Sequence, residues 1–362
     1  MATRPRRISS VGISSDAGSR VPASPRSKES PAKAARLSAA PAAEDEIAGN
    51  STRSPSLKHD ALSLYWITDF VFTTGLVIIG VALAGGVDSW GAAGLAAKAL
   101  WLRCFATLFA FMTAFILTGS CLVVLACGLF GRKQQQSPPP TPPHWREMLD
   151  SVKAMWTFAA LAAWPYYRYC LDPRSTAIVW TLEEAQPWAK DLPWARDSRG
   201  VQVALYVAQL VALTLVVDLY SYVKHKSMHS RALFQFHAMH HTYRDPSAFA
   251  SFAVHPVESF LTFVPVLGML STAMPVWAHA YAIWTLSWAL LNLYLHSGHE
   301  LALVEALLAP LGINTSGFHN AHHELMWTNY GELLYVWDII LDTGFHPGKF
   351  RLPCGRKTLS RY

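Results

Sequence analysis

Between Glu258 and Glu300 the chain has no Asp, Glu, Lys or Arg over 41 residues, and from Cys104 to Gly131 it has none over 28. About 20 apolar residues span the hydrocarbon core of a bilayer, so runs of this length constrain the fold more than any other feature. From Ala61 to Val87 the single charge is Asp69, and Val201 to about Val223 forms another apolar run with Asp218 near its end. A shorter one, Ala154 to Tyr167, carries Pro165. The expected architecture is therefore all-α: a polytopic membrane helical bundle of four spans. The 41-residue run, broken by Pro265, Gly268 and Pro275, adds a re-entering hairpin.

Charge orients the bundle. With the basic N-terminal tail in the cytosol, four crossings and a returning hairpin put Arg132, Lys133, Lys224, Lys226, Arg231 and the C-terminal cluster from Lys349 to Arg361 on the cytosolic side. Residues 1–60 hold ten Lys/Arg and six Asp/Glu, so +4 of the net +6 lies there. This Ser-, Pro- and Ala-rich stretch reads as a disordered tail, with a cleaved transit peptide as the alternative. The expected divisions are a tail over 1–60, two transmembrane helices over 61–133, a Pro-rich linker over 134–150 and a catalytic domain over 151–362. Charged residues make up only 15% of the chain and hydrophobic ones 52%, which argues against a nucleic-acid partner despite the basic balance. The five Cys lack metal-type spacing.

Histidine is the other outlier. Of 15 His, 13 fall between His225 and His346. They form spaced clusters: His225 and His229; His237, His240 and His241; the pair His296 and His299; and His319, His322 and His323. Residues i and i+3 or i+4 share a helix face, so each cluster converges its imidazoles. His225 and His237 are twelve residues apart, about 18 Å along a straight helix, so one centre requires a turn around Ser230 to Phe234. Neutral imidazole is a ligand for iron, zinc and copper. Ten such ligands exceed the four of one zinc site and fit two ions. His59, His144, His279 and His346 stand outside the clusters, and His255 is expected to orient a ligand or the hairpin entry. Asp218, Asp245, Glu258, Glu324 and Asp338 are the carboxylates that could hold ligand rings from behind.

HxxxH followed by two copies of HxxHH around a membrane hairpin resembles the fatty acid hydroxylase/sterol desaturase superfamily of membrane di-iron oxidases. The flanking residues agree: Ala253-Val254-His255-Pro256-Val257-Glu258 before the hairpin, then Asn329-Tyr330-Gly331 and Trp337-Asp338 after the third cluster. The likeness covers about residues 200–345. Phe249-Ala250-Ser251 and Asn-Tyr-Gly look more like lathosterol-oxidase-type sterol desaturases than methylsterol oxidases. Lys226 stands where the family usually has Arg, and Ile339-Ile340-Leu341-Asp342-Thr343-Gly344 departs from the family's ending.

The resemblance implies two iron ions held by His225, His229, His237, His240, His241, His296, His299, His319, His322 and His323, with O₂ as co-substrate. It also implies hydroxylation or desaturation of an apolar lipid entering from the bilayer, a sterol in the first instance. Fatty acid or sphingolipid hydroxylation and methylsterol oxidation are the alternatives within the superfamily. With no dinucleotide fingerprint and no haem-attachment motif, an external donor, a small cytochrome or a reductase, must supply electrons. The endoplasmic reticulum is the expected membrane, with plastid and mitochondrial membranes left open. Outside this superfamily, a His-rich metal transporter and a bis-His haem protein are the competing readings.

Overall fold

The computed structural model describes residues 59–135, 138, 141–196, 198–268 and 275–345. The expected tail up to residue 58, His346 and residues 269–274 of the expected hairpin lie outside them. Helix α1 (His59–Leu83) is followed by α2 (Ala92–Phe130), α3 (His144–Leu171) and α4 (Arg199–Met228). Then come α5 (Pro256–Gly268), α6 (Ala278–Leu295), α7 (Ala302–Leu308), α8 (Ser316–Leu325) and α9 (Val336–Ile340).

The chain is mostly helical but not wholly so. Strand β1 (Arg132–Lys133) pairs antiparallel with β4 (His299–Glu300), and β2 (Ile178–Val179) pairs parallel with β3 (Val276–Trp277). Among the described residues, two helices are long and apolar enough to cross a membrane, α2 and α4. Their outward faces are apolar: Phe111, Leu122 and Leu129 on α2 and Val207, Val211 and Val216 on α4 are all more than half exposed. Such surfaces are unfavourable in water.

α3 differs from these two. It begins at His144, inside the expected linker, and its first turns carry Glu147, Asp150 and Ser151 buried against other parts of the chain. Beyond them, Ala159, Ala160 and Ala163 form a small-residue face on which Trp101, Cys104 and Phe105 of α2 pack. A second cluster joins Ile116 of α2, Ala154, Met155 and Phe158 of α3, Leu293 of α6, and Ala248 from the turn before α5. Gly119 lets α2 and α6 approach, because a Cβ there would come within 2.7 Å of Leu293. The last carbonyls of α1 and its turn are satisfied by a buried lysine: Lys98 Nζ donates to Ala84 O at 2.9 Å and Gly86 O at 3.1 Å.

α4 ends at Met228, its last amide-to-carbonyl bond running from His229 N to His225 O, and the chain then turns through Ser230 to Phe236. This reversal lets the second histidine cluster fold back beside the first.

Candidate metal centre

Nine of the ten singled-out histidines converge into two adjacent groups. His225, His229, His237, His241 and His322 form one; His240, His296, His319 and His323 form the other. Within each group the ligating atoms lie within 4.8 Å of one another. The two HxxHH clusters are used in opposite senses. His237 and His241, one turn apart, enter the first group while His240 enters the second. His319 and His323 enter the second while His322 enters the first. Adjacent residues on a turn point about 100° apart, so each His-His pair is divided between the groups.

Local structure sets these directions. Thr315 caps α8 by accepting from Phe318 N at 3.3 Å, and the ten-residue helix presents His319, His322 and His323 inward. The second cluster lies on short 3-10 turns instead of the expected helix. His241 N still reaches His237 O at 3.4 Å, which keeps both rings on one side.

His299 lies outside both groups. α6 stops at Leu295, and Gly298, with φ 65°, reverses the chain before β4. The spacing from His296 therefore no longer places His299 on a shared face, and its Nδ1 donates to Ser297 O at 2.8 Å. His144 Nδ1 pairs with Glu147 at 3.0 Å, and His279 sits against Trp180 and Trp277.

Five of the nine converging rings are held from behind, whereas the Nδ1 atoms of His240, His241 and His319 are buried with no hydrogen-bond partner among the described residues. His237 Nδ1 donates to Glu258 at 2.9 Å, His225 Nδ1 to Tyr330 O at 2.9 Å and His296 Nδ1 to Asn292 O at 2.9 Å. His322 Nδ1 donates to Thr328 O at 2.7 Å and His323 Nδ1 to Tyr243 O at 3.1 Å. Carbonyls only accept, so each of those rings carries its proton on Nδ1 and presents a bare Nε2 lone pair.

The Nε2 atoms then crowd together. His241 Nε2 lies 3.1 Å from His237, 3.2 Å from His229 and 3.2 Å from His322. His296 Nε2 lies 3.1 Å from His240 and 3.0 Å from His319. One imidazole proton cannot serve two or three such contacts, so lone pairs face one another. Among the described residues, His225 Nε2 and His323 Nε2 are buried with no hydrogen-bond partner. A cation resolves this arrangement. Two nitrogens at a right angle on an ion with metal–nitrogen bonds of about 2.1 Å lie about 3.0 Å apart. Burial holds the His240, His241, His319 and His323 rings neutral, well below the usual histidine pKa, and pushes His322 down to about 4. Neutral imidazole is the ligating form.

The expected carboxylates divide. Glu258 alone of Asp218, Asp245, Glu258 and Asp338 bonds a ligand ring directly. Asp338 accepts from Tyr330 N at 2.9 Å and Gly331 N at 2.7 Å, fixing the turn whose carbonyl holds His225. Asp218 accepts from Leu333 N, Leu334 N and Trp337 Nε1, and Asp245 pairs with Lys133 at 2.7 Å. Other supports escape sequence reading. Asp150 accepts from Tyr243 OH at 2.6 Å, Glu147 takes the Ser247 hydroxyl, and Gln135 donates to Arg244 O at 2.7 Å. All three hold the loop that carries the second cluster.

A cavity of about 200 Å³ opens onto both groups through His225, His237, His240, His296 and His319. Elsewhere its wall is mostly apolar, with Phe158, Val217, Phe263, Trp284, Trp288 and Leu295 among its residues.

Residues 210–343 match the family model described as fatty acid hydroxylase. Over this segment the chain is similar to the fatty acid hydroxylase family. All nine converging histidines fall inside the family segment. A lathosterol oxidase of Rattus norvegicus is 30% identical over 152 residues, covering 40% of this chain and 47% of that protein. A Delta(7)-sterol 5(6)-desaturase of Gibberella zeae is 25% identical over 173 residues, covering 48% and 45%. A sphinganine C4-monooxygenase of Arabidopsis thaliana is 30% identical over 141 residues, covering 37% and 53%. The chain spans about half the length of the curated relatives it matches. No solved structure matches it.

Proposed function

We propose that this protein is a membrane-bound, di-iron, O₂-dependent lipid oxidase that hydroxylates or desaturates a lipid, a sterol in the first instance. The observation that carries the reading is the pair of adjacent imidazole groups opening onto an apolar cavity. Imidazole donors accept zinc, copper and iron alike. Iron is favoured because the relatives are named oxidases, desaturases and monooxygenases, and zinc has no redox chemistry.

Two iron ions bound by the nine histidines would supply the oxidation of an unactivated C–H bond, which no side chain can perform. Hydroxylation inserts one oxygen atom of O₂ and reduces the other to water with two electrons and two protons. Desaturation removes two hydrogens from the lipid and, with the same two electrons and two protons, converts O₂ to two waters. The electrons come from an external donor, a small cytochrome or reductase.

The protein's own contribution is positional. Glu258 and the carbonyls of Thr328, Tyr330, Tyr243 and Asn292 fix five ligand rings before any ion arrives. The apolar walls exclude water and admit a hydrocarbon from the bilayer. Four spans with a hairpin, the basic clusters on the cytosolic side and an endoplasmic reticulum location complete the proposal. The outward apolar faces of α2 and α4 support it.

The test combines metal analysis with turnover. Purified protein should carry about two irons per chain and, given O₂ and a reducing system, oxidise a sterol or an acyl lipid. In cells lacking the protein, build-up of a 5,6-saturated sterol selects desaturation, and loss of hydroxylated acyl chains selects hydroxylation. A haem Soret band, or metal transport without lipid turnover, refutes the reading.

A further inference from the structure

The cavity has two unlike ends. Along α6 its wall runs from Trp284 to His296, twelve residues or about 18 Å. On α4, Val217, Ser221, Lys224 and His225 lie on one face and carry the wall from apolar to ligating. Beside the histidines stands a polar set in which Lys224 is buried and Thr262 and Glu332 are half-buried. Lys224 Nζ lies 2.8 Å from Glu332 Oε1 and donates to Thr262 Oγ1 at 2.9 Å, and all three residues line the cavity. Glu258, which holds His237, lines it too. Holding the ligand rings does not require Lys224, Thr262 or Glu332, and a charged pair at an apolar cavity wall is costly unless it is used.

Resting on the oxidase reading above, we propose that Lys224 and Glu332 form a head-group subsite for an uncharged lipid hydroxyl. The substrate is thus a lipid alcohol that enters head first and is oxidised within a few bonds of that hydroxyl. An ammonium has three N–H bonds; Glu332 and Thr262 take two, and the third is available to a hydroxyl oxygen. The hydroxyl hydrogen in turn faces the Glu332 carboxylate. The Glu332 carboxylate already balances the Lys224 ammonium, so the pair offers a neutral hydroxyl one donor and one acceptor and leaves no net charge for an ionised head to neutralise. The rest of the lipid then lies along the apolar wall toward Trp284 and Trp288.

The experiment is anaerobic equilibrium binding to the full-length, metal-loaded protein in phosphatidylcholine nanodiscs. The probes are tritiated cholestanol against its 3-deoxy counterpart cholestane, and octadecan-1-ol against octadecane. Wild type should retain at least one alcohol about tenfold better than the matching hydrocarbon. A site built around a hydroxyl rejects the analogue that lacks it. Lys224→Met and Glu332→Gln should each bring that ratio within about twofold and leave hydrocarbon retention and iron content unchanged. A variant that loses hydrocarbon retention has lost the cavity, and Thr262→Val is then read in its place, with a drop in the ratio expected. The proposal is overturned if wild type holds alcohol and hydrocarbon within twofold, if neither alcohol is retained, or if the variants keep the preference. Failure of the oxidase reading shows separately, as absence of oxidised product when O₂ and reductant are supplied.

Discussion

His240 and His241 are neighbours in the chain yet belong to different metal groups, and the same is true of His322 and His323. Single substitutions should therefore remove single ions. On the proposed two irons per chain, His322→Ala should empty the first group and His240→Ala the second, each leaving about one iron by elemental analysis. His299→Ala should leave both. Loss of iron in the His299 variant would place that residue among the ligands after all. Glu258 acts one bond further out, through His237 Nδ1. Replacing such a carboxylate typically weakens metal binding 10- to 100-fold. Glu258→Gln should do so in a competition titration with a chelator, with protein fold retained. The nine histidines that converge were legible as spacing. Their allocation between two ions was not, because it depends on how far each cluster is rotated, and spacing alone leaves that free. His299 illustrates the limit from the other side: its spacing fits a helix that has already ended.

At the scale of elements, the turn after α8 carries more of the site than its length indicates. Thr328 O holds His322 and Tyr330 O holds His225, and between them Asn329 adopts φ 59°, a left-handed conformation that Asn tolerates better than most residues. Its side chain donates to Phe318 O at 2.9 Å and accepts from Phe345 N at 2.7 Å. Asn329→Ala strands both backbone groups and places an alanine in the strained region. Each stranded buried group costs about 1–3 kcal/mol. The variant should melt at a lower temperature by an amount corresponding to about 2–3 kcal/mol and bind iron more weakly at both His225 and His322. Unchanged melting and iron content would mean that the turn is held by other bonds. Sequence showed the Asn-Tyr-Gly segment as a motif and the helices as apolar runs, with α4 near its expected bounds and α2 starting twelve residues before the expected Cys104. It did not show that α3 starts early, at His144. That start depends on Glu147 and Asp150 finding partners at Ser247 and Tyr243, about a hundred residues away.

For the whole molecule, the metal-free state is the one under strain. Nine imidazoles are packed with lone pairs facing one another, so an ion that binds the folded chain stabilises it by mass action. Removing iron with a chelator should lower the melting temperature, and adding iron back should restore it. The same packing sets a pH dependence with a definite sign. An unfolded histidine titrates near 6.5, whereas burial depresses His322 to about 4 and holds His240, His241, His319 and His323 well below their usual value. Between those values the unfolded chain binds more protons than the folded one, so stability rises with pH there. The contribution is complete above about pH 6.5 and is lost as pH falls toward 4. His322 alone, pushed down to about 4, accounts for on the order of 3 kcal/mol at the acid end. Metal-stripped protein should therefore melt at steadily lower temperatures from pH 6.5 to 4.5. The iron-loaded form should hold its melting temperature further into acid, then fall steeply where protons displace the ion. A metal-stripped protein whose melting temperature is flat from pH 7.5 to 5 would show that these imidazoles are not buried as neutral rings, and the two-group centre would fall with them.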